Sequence, residues 1–209
     1  MKLHSESFED GEFIPSEYAV GKTSADGKID FAENKNPHLA WADLPEGTQS
    51  IAILCIDRDA PTKPDDVNQD GRMVPSSLPR ADFSHWVLID VSPEATIERG
   101  QFSDGLTAKG KDGPDAPGGV RQGINDYTGW FASDPEMAGD YYGYDGPCPP
   151  FNDSIVHHYE FTAYALDVER LDVDGKFTAS DVLEAMEGHV LGQASICGKY
   201  KINQTAIEL

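Results

Sequence analysis

The stretch Thr48–Asp57, which reads Thr-Gln-Ser-Ile-Ala-Ile-Leu-Cys-Ile-Asp, decides the fold of this chain. Its nearly continuous apolar run is rich in β-branched residues and is typical of a strand that is buried on both faces. Two further runs have the same character: His85–Val91, and His157–Val168, which is the longest. Phe13–Val20 and Ala194–Ile202 predict an early and a late strand. The chain is therefore expected to be mostly β.

A single helix is predicted near the C-terminal end. Thr178 and Asp181 have the spacing of a capping box. The apolar residues that recur on one helix face after it are Val182, Met186 and Val190. Gly192 then predicts the end of the helix. One helix among at least five strands predicts an all-β core with a peripheral helix, and 209 residues fit a single domain, residues 1–209.

The charge of the chain limits its partners. It has 37 acidic and 16 basic residues, a formal net charge of −21, and the acids are spread along the whole sequence. Such a surface repels nucleic acid and anionic membranes at long range. No stretch is apolar over the length needed to cross a bilayer, and the N-terminal residues carry acids where a signal peptide has its apolar run. We therefore expect a cytoplasmic protein that binds no nucleic acid and does not span a membrane.

Signatures of a metal or cofactor are weak. Cys55, Cys148 and Cys197 are widely spaced and form no CxxC pair, so the sequence predicts neither a zinc ribbon nor a disulfide framework. Residues 66–71 copy the start of a calcium-binding loop, but Ser77 stands at the twelfth position, where a glutamate is needed. That segment is interpreted as an acidic surface loop, with a weak cation site as the alternative. No cofactor is expected.

Three strand ends predict a polar pocket. Asp57 closes the first buried strand and His85 opens the second, so antiparallel pairing would place both residues at the same end of a sheet. His157 opens the third strand after a Gly-Pro-Cys-Pro-Pro turn, and Tyr159 follows on the same face. An imidazole donates to a phosphate or sulfate, and a nearby carboxylate fixes its tautomer. Residues 100–150, rich in Gly, Pro, Asp and Asn, are expected to form one wall of this pocket.

Two other interpretations of these residues stay open. In the first, each residue only ends a strand and satisfies backbone groups. In the second, the two histidines and the carboxylate bind zinc or iron, although no tightly spaced ligand motif such as HExxH is present. Covalent hydrolysis has no support, because Ser84 and His85 are neighbours on a strand and face opposite ways.

Seven short segments, in order along nearly the whole chain, resemble the motifs of a known family. They are Asn36–Trp41, Pro45–Ser50, Asp57–Pro61, His85–Val87, Gly123–Tyr127, Tyr144–Pro150 and His157–Asp167. Asp57–Pro61 resembles the family's D-P-D-A-P signature, and Tyr144–Pro150 resembles its Y-x-G-P-x-P-P loop. On these residues the chain resembles the phosphatidylethanolamine-binding protein family, especially its bacterial and archaeal branch of Raf kinase inhibitor-like proteins.

The resemblance implies a sandwich of antiparallel sheets with one or two peripheral helices, long loops and a small anion pocket at one end. The residues that it implies as ligand-binding are Asp57, His85, Gly146, Pro147, Pro149, His157 and Tyr159. It implies pocket support from Asp59, Pro61 and Tyr144, and a cis Ala60–Pro61 bond. Residues 62–82 and 132–142 are longer than the matching loops of relatives.

These features predict a binding protein rather than an enzyme. The expected ligand is a phosphate-bearing small molecule or a phospholipid head group, since no run of residues predicts an apolar channel for acyl chains. A second hypothesis is a protein-interaction regulator, an inhibitor of a kinase or protease that uses the pocket as a switch. A third is a metal-assisted hydrolase that uses Asp57 and the two histidines. The edge strand Ala194–Ile202 and the resemblance also suggest a homodimer.

Overall fold

The computed structural model describes residues 1–209. Its strands are β1 (Lys2–His4), β2 (Gly21–Thr23), β3 (Ile29–Phe31), β4 (Ala40–Ala42), β5 (Ser50–Pro61), β6 (Arg80–Val91), β7 (Arg121–Gln122), β8 (His157–Leu166) and β9 (Val190–Tyr200). Its helices are α1 (Tyr127–Trp130) and α2 (Ala179–Ala185), with a short 3₁₀ turn at Ser16–Tyr18. No helix is both long enough and apolar enough to cross a bilayer.

Five strands form the main sheet, in the order β7-β6-β5-β8-β9, and all neighbours are antiparallel. The decisive apolar stretch lies in β5 at the centre of this sheet, where Leu54 pairs with Val87 on β6 and with Thr162 on β8. Two small sheets, β1 with β4 and β2 with β3, complete the β structure. The prediction of a mostly β, antiparallel fold with peripheral helices is confirmed.

The central strand is apolar on both faces because each face packs against a separate core. On one face, Ile51 and Ile53 join the larger buried cluster together with Trp86. On the other face, Leu54 packs in a second cluster that includes Val182 of α2. Successive strand residues point to opposite faces, so a strand that serves two cores shows no polar alternation. The helix covers the second core, in the peripheral position predicted for it.

The predicted helix begins where its capping box indicates but ends earlier than predicted. The Thr178 amide donates to the Asp181 carboxylate at 2.8 Å, and the Asp181 amide donates back to the Thr178 hydroxyl at 3.4 Å. After α2 the chain turns at Gly188, whose φ of +82° is the left-handed geometry that ends helices. Val190 and Gly192, predicted as helix face and helix end, belong instead to β9.

The early strand predicted at Phe13–Val20 is wrong. Pro15 precedes the 3₁₀ turn, and its ring removes the backbone donor that an inner strand needs. The residues before it run along the outer edge of β9, where the Gly11 amide donates to the Cys197 carbonyl at 2.7 Å and the Ile14 amide donates to a carbonyl further along. These contacts cover the second half of the edge that was predicted to be free for self-association.

The implied cis peptide at Ala60–Pro61 is also wrong, and the cis bond of the structure lies at Gly113–Pro114. Ala60 and Pro61 belong to β5 and pair with β6, and an extended strand is built from trans peptides. A register shift between Asp57 and Ala60 re-aims the strand at this point.

The segment 66–71 is a surface loop closed by ion pairs. The Asp66 carboxylate accepts from Arg72 at 2.8 Å, and the Asp70 carboxylate accepts from Lys28 at 2.8 Å. These carboxylates are therefore paired with basic side chains instead of converging on one point.

Candidate functional site

The second half of β5, the first half of β6 and the start of β8 meet at a cavity of 330 Å³. The prediction that Asp57 closes its strand and that His85 opens the next is wrong, because β5 continues to Pro61 and β6 already begins at Arg80. Asp57 on β5 lies opposite Tyr159 on β8 in the sheet register. The other two polar side chains come from His85 on β6 and His157 at the start of β8, and all four residues are buried. The predicted site residues that line the cavity are Asp57, Pro61, His85, Pro149, His157 and Tyr159.

The predicted rim residues Gly146 and Pro147 lie behind the cavity wall. The Gly146 amide donates to the Asn34 side chain at 2.8 Å, and the Gly146 carbonyl accepts from the Tyr127 hydroxyl at 2.9 Å. The Pro147 carbonyl accepts from the Val20 amide at 3.0 Å. Their polar groups are therefore used to hold the loop, and the next three residues of the loop, 148–150, form the rim.

The predicted support residues Asp59 and Tyr144 also contact the protein and not the cavity. The Asp59 carboxylate accepts from the backbone amide and from the ring of His158, both at 2.8 Å. The Tyr144 hydroxyl donates to the Tyr18 carbonyl at 2.6 Å. Each ties a strand or loop near the cavity to its neighbour, which is a supporting role.

His157 lies at the centre of a buried chain of charges. Its Nδ1 is 2.7 Å from an Asp57 carboxylate oxygen, and its Nε2 is 3.1 Å from an Asp153 carboxylate oxygen. Arg80 donates two hydrogen bonds to Asp153, at 2.6 and 3.0 Å. Because carboxylates only accept, both ring nitrogens of His157 donate, and the ring is an imidazolium.

The pKa of His157 reflects this arrangement. Burial opposes the charged ring, but attraction to Asp57 and hydrogen bonds to Asp153 and Asp57 outweigh it and raise the pKa to about 9. Burial likewise raises the pKa values of Asp57 and Asp153, and their contacts with the imidazolium bring both below the ordinary value. The expectation that His157 donates to a ligand is not met, because neither of its N–H groups is free.

His85 differs from His157 in both its charge and its hydrogen bonds. Its Nδ1 is 2.7 Å from the Asp145 backbone carbonyl, so Nδ1 carries the proton. No protein group hydrogen-bonds to Nε2, and the ring lines the cavity. Ring contacts at centroid distances of 5.0 Å to Phe83, 5.5 Å to Tyr127 and 5.1 Å to Tyr159 fix its orientation. Burial lowers the pKa of His85 against the attraction of nearby carboxylates, so the ring is a neutral acceptor.

The fully buried carboxylate of Asp145 holds the loop that orients His85. It accepts from the side-chain amides of Asn34 and Asn125, both at 2.8 Å, and from Lys111 at 2.9 Å. A buried charge needs several such partners. The sequence contained a signal for this network in the Gly-x-Asn-Asp segment and in the Asp before Gly-Pro, but not the pairing itself.

The hydroxyl of Tyr159 is buried and has no hydrogen-bond partner. Tyr159 lines the cavity. Burial raises its pKa well above the ordinary value, so the hydroxyl keeps its proton and can donate. An unpaired buried hydroxyl costs roughly 1–3 kcal/mol. A ligand atom that accepts from Tyr159 would recover this energy.

Most of the cavity lining is apolar, which the sequence did not predict. The apolar side chains that line the cavity with Ala60 and the prolines are Val20, Ile29, Phe31, Val67, Phe83, Tyr127, Trp130, Phe131, Met137 and Cys148. Phe31 and Trp130 are exposed, and we call this side of the cavity its mouth. The long segment 62–82 contributes Val67 and Asn68 to the lining, and the segment 132–142 contributes Asp134 and Met137.

The donor set does not fit a metal ion. Both ring nitrogens of His157 donate to carboxylates, so the ring has no lone pair to offer. Nowhere in the chain do three or more His, Cys, Asp or Glu side chains group as a metal site would require. Asp57 and His85 alone leave too few ligands for the zinc or iron alternative.

Comparison with known proteins agrees with this architecture. The family model described as "Phosphatidylethanolamine-binding protein" matches residues 4–201. The UPF0098 protein of Methanothermobacter thermautotrophicus is 36% identical over 201 residues, which cover 96% of this chain and 99% of that protein. The UPF0098 protein of Aquifex aeolicus is 34% identical, over 96% of this chain and 88% of that protein.

Two solved structures have the same fold. The crystal structure of Escherichia coli YbcL, described as a member of the mammalian PEBP family, has a TM-score of 0.67 at 24% identity and covers 96% of this chain and 97% of that one. The putative phosphatidylethanolamine-binding protein homologue CT736 of Chlamydia trachomatis has a TM-score of 0.64 at 26% identity, with 96% of each chain covered. With a family match over nearly its whole length and relatives above 30% identity, this chain belongs to the phosphatidylethanolamine-binding protein family.

Proposed function

We propose that this protein binds a small oxyanion, the phosphoryl group of a small molecule or head group, on the polar floor of the cavity. The observation that carries the proposal is the Tyr159 hydroxyl, a buried donor without a partner that faces a cavity. A polar group buried without a partner costs free energy. An oxyanion that accepts from this hydroxyl removes that cost.

The polar residues at the cavity have different roles in the proposed binding. Tyr159 donates to the oxyanion. Nε2 of His85 is also at the cavity and has no hydrogen-bond partner in the protein. Asp57 and His157 hydrogen-bond to each other and thereby fix the start of β8 against β5. Membership of a family of ligand-binding proteins supports the same assignment.

The apolar mouth favours a ligand with an organic group attached to the phosphoryl oxygen. Trp130 and Phe131 line the mouth, and Trp130 is 47% exposed. Aromatic side chains of this kind bury apolar surface when a ligand enters. We therefore propose that the cavity binds the phosphoryl group at its polar end and an attached organic group at its apolar mouth, and not a head group alone.

We propose binding without catalysis. A nucleophile would need to ionise near neutral pH, but burial raises the pKa of Cys148 to about 12 and that of Tyr159 well above its ordinary value. Ser84 does not line the cavity. Neither the Cys148 thiol nor the Tyr159 hydroxyl is thus suited to attack a bound ester.

A protein-interaction regulator is the second candidate, favoured by one observation. Phe31 at the mouth is 66% exposed, and Trp130 is also exposed. Exposed aromatic residues beside a cavity are typical of recognition surfaces. In this candidate a partner protein presents a side chain to the cavity, and the net charge of −21 favours a basic partner.

The proposal is tested by titrating the protein with inorganic phosphate and with phosphorylethanolamine. Binding is compared between the wild type, Tyr159→Phe and the control Tyr164→Phe, which lies on the same strand outside the cavity. We expect saturable binding that is about tenfold weaker in Tyr159→Phe, as for the loss of one hydrogen bond to a charged group. Equal affinity in the wild type and Tyr159→Phe, or no binding at millimolar ligand, would overturn the proposal.

A further inference from the structure

We propose that the cavity takes up its oxyanion together with one proton, shared between the ligand and Nε2 of His85, and so prefers phosphomonoesters to phosphodiesters. This inference rests on the proposed function and adds the class of ligand. The charged and titratable groups around the cavity support it.

No permanent positive charge faces the cavity. Its lining residues include no lysine or arginine. The basic side chains that contact the charge networks beside it are already paired: Arg80 donates two hydrogen bonds to Asp153, and Lys111 donates to Asp145 and to a backbone carbonyl. An entering anion therefore meets no free cation of the usual kind.

The charge of His157 is also neutralised inside the protein. Its ring lies between Asp57 and Asp153, and Arg80 balances the second carboxylate. The two positive and two negative groups of this chain sum to zero. Since both N–H groups of His157 are used, the chain offers an anion neither net charge nor a donor.

His85 is the one remaining group at the cavity that can become positively charged. The carboxylates that face it come from three elements: Asp57 on β5, Asp126 before α1 and Asp145 in the loop before β8. The imidazolium of His157 is on β8. Because Nδ1 of His85 already donates to a carbonyl, an added proton goes to Nε2. An oxyanion beside Nε2 adds a further negative charge and favours that proton.

The two classes of phosphate ester differ in whether the ligand itself can hold this proton. A monoester has a second pKa of about 6, so near neutral pH it either carries a P–O–H group or gains one at small cost. The hydroxyl of ROPO₃H⁻ donates to Nε2 while another oxygen accepts from Tyr159. A phosphodiester has no such proton, so one must be taken from solvent onto a buried imidazole. We therefore expect the cavity to bind phosphomonoesters more tightly than phosphodiesters.

The test compares phenyl phosphate with methyl phenyl phosphate, which differ by the methyl group that removes the ionisable proton. Calorimetry in two buffers with different ionisation enthalpies measures the protons taken up. We expect about one proton per phenyl phosphate at pH 7.5, and an affinity that falls about tenfold per pH unit above pH 7, as one-proton linkage requires. We expect methyl phenyl phosphate to bind at least about tenfold more weakly, the same free energy as one pKa unit.

His85→Gln tests the residue, because an amide donates without being protonated. Its binding of phenyl phosphate is expected to lose most of the pH dependence, while the control His189→Gln, at an exposed histidine, keeps it. If His85→Gln does not fold, the wild-type proton count decides alone. Equal binding of the two esters with no proton uptake overturns this inference and leaves the proposed function intact. Absence of binding by either ester overturns the proposed function as well.

Discussion

Nδ1 of His157 lies 2.7 Å from a carboxylate oxygen of Asp57, and this buried contact joins β5 to the start of β8. The two residues are 100 positions apart in sequence. Their contact explains why the imidazole that looks most like an anion donor is instead part of the framework. We therefore propose Tyr159 and His85 as the groups that contact a ligand.

The His157 contact predicts a pH dependence of stability. The pKa of His157 in the folded protein is about 9, above the ordinary histidine value of 6.5. The stabilisation is therefore complete below about pH 6.5 and is lost as the pH rises through 9. A difference of this size corresponds to roughly 3 kcal/mol. Urea unfolding at pH 6, 7.5 and 9 measures it, and subtracting the profile of His157→Gln isolates the contribution. Parallel profiles for the two proteins would contradict the assignment.

The carboxylates on either side give the opposite trend in acid. The pKa values of Asp57 and Asp153 are lowered in the folded state, so their stabilisation is present above pH 3.8 and is lost as the pH falls below it. Asp57→Ala leaves a buried imidazolium with one partner fewer, and we expect it to destabilise the protein by roughly 3–5 kcal/mol. Asp82→Ala, which breaks an exposed pair with Arg58, is the control and should cost about 0–1 kcal/mol. Equal free energies of unfolding for the two variants would be evidence against the buried pair.

Tyr159→Phe should separate stability from binding. The substitution removes a buried hydroxyl that has no partner, so the free protein should become more stable, by about 1 kcal/mol. The same variant should bind phosphate more weakly. Thermal unfolding with and without phosphate measures both effects. A destabilised variant would mean that the Tyr159 hydroxyl has a partner in the free protein.

Trp130→Ala should affect only ligands with an organic group. The indole lines the mouth and is partly exposed, and losing its contact costs on the order of 1 kcal/mol, or about fivefold in affinity for phenyl phosphate. Affinity for inorganic phosphate should stay the same. Met73→Ala, at an exposed apolar residue outside the cavity, is the matched control. Equal losses for both ligands would place Trp130 in the support of the polar floor.

The sequence predicted the polar residues of the cavity better than its apolar lining. Asp57 and His85 lie inside strands that are longer than predicted, but antiparallel pairing of the apolar runs is still enough to bring them close to His157. The second partner of His157, Asp153, lies in a loop and is itself held by Arg80. Nothing in the local pattern of a loop predicts such a pair, so the role of His157 as an internal imidazolium could not be predicted.

The apolar mouth of the cavity and the end of α2 could not be predicted from local sequence patterns either. Ile29, Val67 and Phe131 come from three separate segments, and no periodicity links residues that meet only after folding. The sequence predicts the end of α2 at Gly192, but Gly188 fits a helix terminator equally well. Backbone geometry at Gly188, with φ at +82°, decided between them.

The most direct test of the account is a ¹⁵N NMR spectrum of the histidine rings, recorded near pH 7 before and after addition of phenyl phosphate. We expect both nitrogens of His157 to be protonated in each spectrum, because Asp57 and Asp153 hold both N–H groups. We expect Nε2 of His85 to change from an unprotonated acceptor to a nitrogen that shares or carries a proton. A ligand that binds while Nε2 of His85 stays unchanged and His157 alters its protonation would contradict it.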